Sequence, residues 1–134
     1  MSPTYPGLRA LLGAVLLKRG ERELALAEIE REPDEEAREL ALTRAYQLLG
    51  RNADANAALA HFETTRAANS AYYIAGIHAL RGEVDQAFQW LESAYQQRDP
   101  ELLGVPGIST DPDLGNLHGD PRYKALLRKL KLPE

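Results

Sequence analysis

No cysteine occurs in the sequence. That removes disulfide frameworks, thiolate nucleophiles and thiolate metal ligands together, and it suits a reducing compartment, so a cytoplasmic location is the expectation. Valine, isoleucine and threonine are scarce beside leucine and alanine. Little of the chain therefore has the β-branched character that sheets favour, and helix is the expected state. Long apolar runs are missing as well. The early run Leu11–Leu17 has only Arg9 as a basic residue ahead of it, ends in Lys18 and Arg19, and lacks a small-residue cleavage pattern. It fits neither a secretory leader nor a bilayer span, so no membrane association is expected. Positive charge is not in excess either: the net charge is −4, against the basic footprint of a nucleic-acid binder, and no nucleic acid is expected as a partner.

Reactive constellations are equally sparse. The histidines are His61, His78 and His118, with no pair four residues apart and no HExxH pattern, so no metal site is expected. His78 falls on a packing position and is read as a structural histidine. Ser70, Ser93 and Ser109 lie in no nucleophile-elbow context, and GVPGIST lacks the lysine of a phosphate-cradling loop. Acids crowd between Glu21 and Glu39, Glu32 among them, while Arg122, Lys124, Arg128, Lys129 and Lys131 gather near the other end. Both groups read as solvated helix faces, the cations also favoured by a helix C-terminus. A catalytic carboxylate needs desolvation to shift its pKa, which a solvated run does not supply. The expectation is a protein that is not an enzyme and needs no cofactor.

What is present is a repeat. A glycine, an alanine five residues later and a large aliphatic four beyond that occur as Gly20, Ala25, Ile29, then Gly50, Ala55, Leu59, then Gly82, Ala87, Leu91. Apolar positions around each glycine follow helical spacing. Leu8, Leu11, Leu12, Val15 and Leu16 form a first helix face, broken at Gly20 and followed by a helix with Leu24, Ala25 and Ile29 inward. Asp34 caps the next helix, which carries Ala37, Leu42, Ala45, Tyr46 and Leu49, and Asn52 is expected to cap its partner through Ala55, Leu59 and Phe62. Ala71–Arg81 with Ile74, Ala75, Ile77 and His78 leads the third pair. Its partner shows Val84, Ala87, Phe88, Leu91 and Tyr95, a stripe wide enough to need a further cover. Prolines and glycines from Asp99 to Asp120 allow only short turns, one begun by Asp111 and Pro112. Asp120 and Pro121 then open a last helix whose Tyr123, Leu126, Leu127 and Leu130 make it the natural lid. A single all-α domain spanning 1–134 follows, with hairpins over about 8–32, 34–67 and 70–97, an irregular 99–119 and a capping helix over 121–131.

This pattern resembles the tetratricopeptide repeat (TPR) family. The matching residues are Leu12, Gly13, Leu16, Gly20, Ala25 and Ile29; then Leu42, Thr43, Tyr46, Gly50, Ala55 and Leu59; then Ile74, Ala75, His78, Gly82, Ala87 and Leu91, with Ala94 as a later small residue. The family repeats at about 34 residues. Here Gly20, Gly50 and Gly82 stand 30 and 32 residues apart, and the leading tryptophan is absent. The tail DPDLGNLHGDPRYKALLRKLKLP is similar to the closing segment of many bacterial TPR proteins, some of them parts of larger signalling or regulatory chains. The resemblance covers roughly residues 8 to 132.

The resemblance implies an α-α superhelix of three hairpins whose leading helices line a concave groove for a protein or peptide partner. By register, the groove residues are Leu17 and Lys18, then Leu40, Arg44 and Gln47, then Tyr72 and Gly76. The lysine and asparagine set with which some members clamp a C-terminal carboxylate is missing, since Ala10, Ala14 and Gly76 occupy positions it would use. An apolar or amphipathic segment, with Lys18 or Arg44 pairing an acid, is the implied ligand. Two alternatives stay open: some groove residues touch only the chain's own Pro100–Gly119 segment, or the module is architectural and self-associating through Leu8, Leu11 and Val15, which no earlier helix caps.

Overall fold

A computed structural model describes residues 5–103 and 107–134. The described chain is all-α. Its elements are α1 (Leu8–Lys18), α2 (Arg22–Glu30), α3 (Glu35–Leu48), α4 (Asn52–Arg66), α5 (Ala71–Leu80), α6 (Val84–Gln96), the single turn α7 (Gly107–Thr110) and α8 (Pro121–Lys129), with 3-10 turns at Pro100–Leu103 and Pro112–Leu117.

The repeated glycine has one physical job in all three pairs. Gly20, Gly50 and Gly82 adopt φ of 79°, 74° and 76°, the left-handed region that costs a residue without Cβ little. Each ends its helix with the same two hydrogen bonds. The N–H groups of Glu21, Arg51 and Glu83 reach back to the carbonyls of Leu16, Tyr46 and His78 at 3.0, 3.0 and 2.9 Å, and those of the glycines donate to Leu17, Gln47 and Ala79 at 3.0, 3.3 and 3.0 Å. This double closure satisfies carbonyls that a helix end otherwise leaves open. The residue after the glycine then starts the second helix, as Ala25, Ala55 and Ala87 donate to the carbonyls of Glu21, Arg51 and Glu83 at 2.9, 2.9 and 3.0 Å. Arg51 therefore holds the position expected for Asn52, which is instead the first helical residue of α4. Two further helix ends close the same way on non-glycine residues: Arg98 after α6 and Lys131 after α8, at φ of 57° and 59°.

The internal contacts group into two compact units, Met1–Thr64 and Thr65–Glu134. In the first, α1 and α2 form an antiparallel hairpin and α3 packs beside both. Ala25, Ile29, Ala45, Ala55, Leu59 and Phe62 are buried. Gly13 is what lets α1 and α2 close on one another: a Cβ there would stand 2.3 Å from Ile29 Cγ1. Leu24, expected inward, is 59% exposed. The inward side of α2 is narrower than its leucine suggests, because Ala25 and Ile29 already fill the line facing Gly13. Asp34 caps α3 as its position predicts, accepting the Ala37 N–H at 2.9 Å, and Glu35 and Glu36 add negative charge to that first turn.

The second unit is built on α5, buried from Ala71 to Ala79 except at Tyr73. The core joins Ala75 and Ala79 of α5 to Ala87, Phe88, Leu91 and Ala94 of α6, and adds Leu102, Ile108, Leu114 and Leu117 from the short turns and Tyr123, Leu126 and Leu127 from α8. The last helix is the lid that the broad stripe of α6 requires. Asp120 and Pro121 start it, the Asp120 carboxylate accepting the Arg122 N–H at 2.9 Å. Tyr123, on its buried face, donates its hydroxyl to the Ile108 carbonyl at 2.9 Å. At the rim of the lid, the Arg122 guanidinium lies 4.5 Å from the Phe88 ring centre and Lys129 Nζ 4.2 Å from that of Tyr95. Cations over aromatic faces complete the seal.

Candidate binding site

Five of the expected groove residues lie on α1 and α3 of the first unit. Leu17, Leu40, Arg44 and Gln47 are half-buried and Lys18 is exposed. The two helices that carry them are neighbours, and a single side chain fixes that arrangement. Glu32, between α2 and α3, is 1% exposed. Its carboxylate accepts the Gly7 N–H at 3.2 Å, the Ala10 N–H at 3.0 Å and the Asp34 N–H at 3.0 Å. Gly7 and Ala10 belong to the open N-terminal end of α1, which has no capping side chain of its own, so a carboxylate 22 and 25 residues away supplies the cap. The Arg38 guanidinium, in the first turns of α3, donates to the Glu32 carbonyl at 2.8 Å. Glu32 is thus the joint between the start of α1 and the start of α3.

Glu32 is not part of a solvated acidic face, and the correction has a plain cause. Burial acts to raise its pKa, but the backbone N–H groups of Asp34, Ala10 and Gly7 together outweigh burial and hold the carboxyl below its ordinary range. A buried charge is tolerated when donors surround it. Nearby, Arg9 of α1 pairs with Glu28 of α2 at 2.7 Å, a second tie within the hairpin.

Tyr72 and Gly76 belong to the second unit and are both buried. Tyr72 is not available as a surface contact. Its hydroxyl donates to Asp111 Oδ2 at 2.7 Å and its N–H to Asp99 Oδ2 at 3.3 Å, and Asn116 Nδ2 donates to the Ala79 carbonyl at 2.8 Å. The segment from Asp111 to Leu117 packs on α5, so the chain's own irregular stretch, one of the two readings left open, takes this face. Burial and the neighbouring Asp111 carboxylate push the Tyr72 pKa far above that of a free tyrosine. Gly76 differs from Gly13, since nothing lies within 4 Å of the place its Cβ would take.

The remaining polar groups are structural in their partners. His78 is buried, with Nδ1 2.9 Å from Glu83 Oε1, and Glu83 also meets Arg81 at 3.0 Å. His61 Nε2 lies 3.4 Å from Glu39 Oε1, and the His118 ring rests on Tyr123 at 4.6 Å between centres. An open cleft of about 530 Å³ runs between α6 and α8 over Phe88 and Leu126. Two ion pairs span it, Arg122 with Asp85 at 3.0 Å and Lys129 with Glu92 at 2.8 Å. The Lys129 hydrogen bond lowers the Glu92 pKa. Among the described residues no group of three or more His, Cys, Asp or Glu is placed to hold a metal ion, and no helix is long and apolar enough to cross a membrane.

No family model, curated protein or solved structure matches the chain.

Proposed function

We propose that the chain is a non-catalytic, TPR-like scaffold of the cytoplasm that binds an apolar or amphipathic segment of another protein along α1 and α3. One observation carries the reading. The buried Glu32 joint holds two helices side by side while Leu17, Leu40 and Gln47 stay partly exposed on them. A fold that spends a buried carboxylate on aligning two helices, yet leaves Leu17 and Leu40 on them only half-buried, has the rigid elements and apolar lining that helix-in-groove recognition uses. Lys18 and Arg44 supply positive charge for an acidic flank on the ligand. The TPR register supports placing these five residues on one side, and the second unit contributes a closed, self-satisfied core instead of contacts.

Selection from a random peptide library displayed on phage tests this. Wild-type protein is expected to enrich peptides with two apolar residues at helical spacing beside an acid. A Leu17→Ser, Leu40→Ser variant, altered only at half-exposed positions, is expected to bind those peptides at least about tenfold more weakly, which corresponds to about 1.4 kcal/mol. Equal affinity in both proteins rejects the groove.

A further inference from the structure

We propose that the segment bound along α1 and α3 is a helix lying antiparallel to both, with acidic residues in its first turn set against Lys18 and Arg44. This rests on the binding role given to that face and adds the direction of its ligand. The direction starts from Glu32. Its carboxylate accepts the Ala10 N–H, in the first turn of α1, and the Asp34 N–H, at the cap of α3, both at 3.0 Å. The two neighbouring helices therefore leave one joint and run the same way. Side chains on them are sorted by distance from that joint. Near it stand Ala10, Ala14, Ala37 and Leu40, half-buried and apolar, with Glu36 in the first turn of α3. The cations come later. Arg44 is nine residues past Glu35 and Lys18 ten past Leu8, about 14 and 15 Å along at a rise of about 1.5 Å per residue. Glu36, Leu40, Arg44 and Gln47 follow one line on α3, at 0, 4, 8 and 11. Charge along the face thus changes sign, from negative at the joint to positive at the far end.

A ligand helix meets that gradient best in one direction. Helices favour Asp and Glu in the first turn and Lys and Arg in the last, where each offsets one end of the dipole. Laid antiparallel to α1 and α3, such a helix brings its acidic turn to Lys18 and Arg44 and its basic turn toward Glu36. Its dipole then also opposes theirs, positive end beside negative ends. Laid parallel, it sets like charge on like at both ends, which disfavours that register. The spacing is specific too. Arg44 lies one turn beyond Leu40 on the same line, so the ligand's acid stands about one turn before the apolar residue that covers Leu40.

An amphipathic synthetic peptide tests this, with glutamates in its first turn, leucines at helical spacing and lysines in its last turn, and a nitroxide on one end or the other. Titrated into ¹⁵N-labelled protein, it reports direction through paramagnetic broadening of amides. The label on the peptide's N-terminal end is expected to broaden Leu17, Lys18 and Gln47, and the label on its C-terminal end Ala10 and Ala37. A Lys18→Glu, Arg44→Glu variant, its fold checked by circular dichroism, is expected to bind the peptide at least about tenfold more weakly. The same variant should bind a peptide with glutamines in place of the glutamates within about twofold of wild type. The opposite broadening, equal broadening from both ends, or an equal loss for both peptides overturns the antiparallel assignment and leaves the groove standing. A peptide that broadens neither set rejects the groove itself, and the assignment with it.

Discussion

Replacing Gly13 with alanine puts two physical effects in opposition at one atom. Helix propensity alone favours the change by about 1 kcal/mol, because glycine loses more backbone entropy in a helix interior. Packing opposes it. The new Cβ would stand 2.3 Å from Ile29 Cγ1, 2.9 Å from Ile29 Cδ1 and 3.1 Å from the Ala25 carbonyl oxygen. Carbon atoms rest about 3.5 to 4.0 Å apart, so Ile29, which is 1% exposed, must retreat by more than about 1 Å into the interior. Overpacking of this kind costs about 1 to 3 kcal/mol. The difference favours packing, and Gly13→Ala is expected to destabilise the first unit by up to about 2 kcal/mol, a fall in Tm of roughly 4 to 8 °C for each kcal/mol. Gly76→Ala is the matched control. With nothing within 4 Å of its Cβ position, only the propensity term remains, and a gain of up to about 1 kcal/mol is expected. Urea and thermal unfolding followed by circular dichroism measure both. An Ile29→Ala background, itself costing about 2 to 5 kcal/mol, should abolish the penalty at Gly13 and reveal a coupling of about 2 kcal/mol. If Gly13→Ala raises stability as Gly76→Ala does, the close approach of α1 and α2 is refuted.

Other substitutions probe the remaining joints. Glu32→Gln should cost about 2 to 3 kcal/mol, since a charged acceptor of several backbone N–H groups becomes a weaker one in a buried place. Because the Glu32 pKa is lowered on folding, its contribution is present above the unfolded-state value and lost as pH falls through the folded one; urea midpoints from about pH 3 to 7 should drop for wild type below about pH 4.5 and drop less for the variant. Tyr72→Phe, which deletes the bond to Asp111, should cost about 1 kcal/mol and leave peptide binding at α1 and α3 unchanged; a binding loss without a stability loss would return Tyr72 to the ligand surface. Truncation before Pro121 should uncover Phe88 and Leu91 and drive aggregation visible by light scattering, and a soluble, folded product would show that the lid is dispensable.

Local features of the fold were legible because their causes are local. A glycine between two apolar periodicities predicts a left-handed helix end, and Gly20, Gly50 and Gly82 all close their helices that way. The alanines five residues on are buried because a small side chain is what that crossing accepts. Asp34, Asp111 and Asp120 cap the elements they precede. The failures share the opposite cause. Glu32 sits in an acid-rich run, and nothing within that run shows that its partners are the N–H groups of Gly7 and Ala10. Tyr72 matches a groove position by register, but the Asp111 that claims its hydroxyl lies 39 residues further on. Arg98 and Lys131 end helices in a glycine conformation without being glycine, which no residue preference announces.

The most direct test of the binding role is a map of where a selected peptide lands on uniformly ¹⁵N-labelled protein, read as amide shift changes during titration. The account predicts that the perturbed amides cluster on α1 and α3 around Leu17, Lys18, Leu40, Arg44 and Gln47, with Tyr72 and the rest of α5 unmoved. Changes centred instead on the cleft between α6 and α8, or confined to the outer stripe of Leu8, Leu11 and Val15, would contradict it.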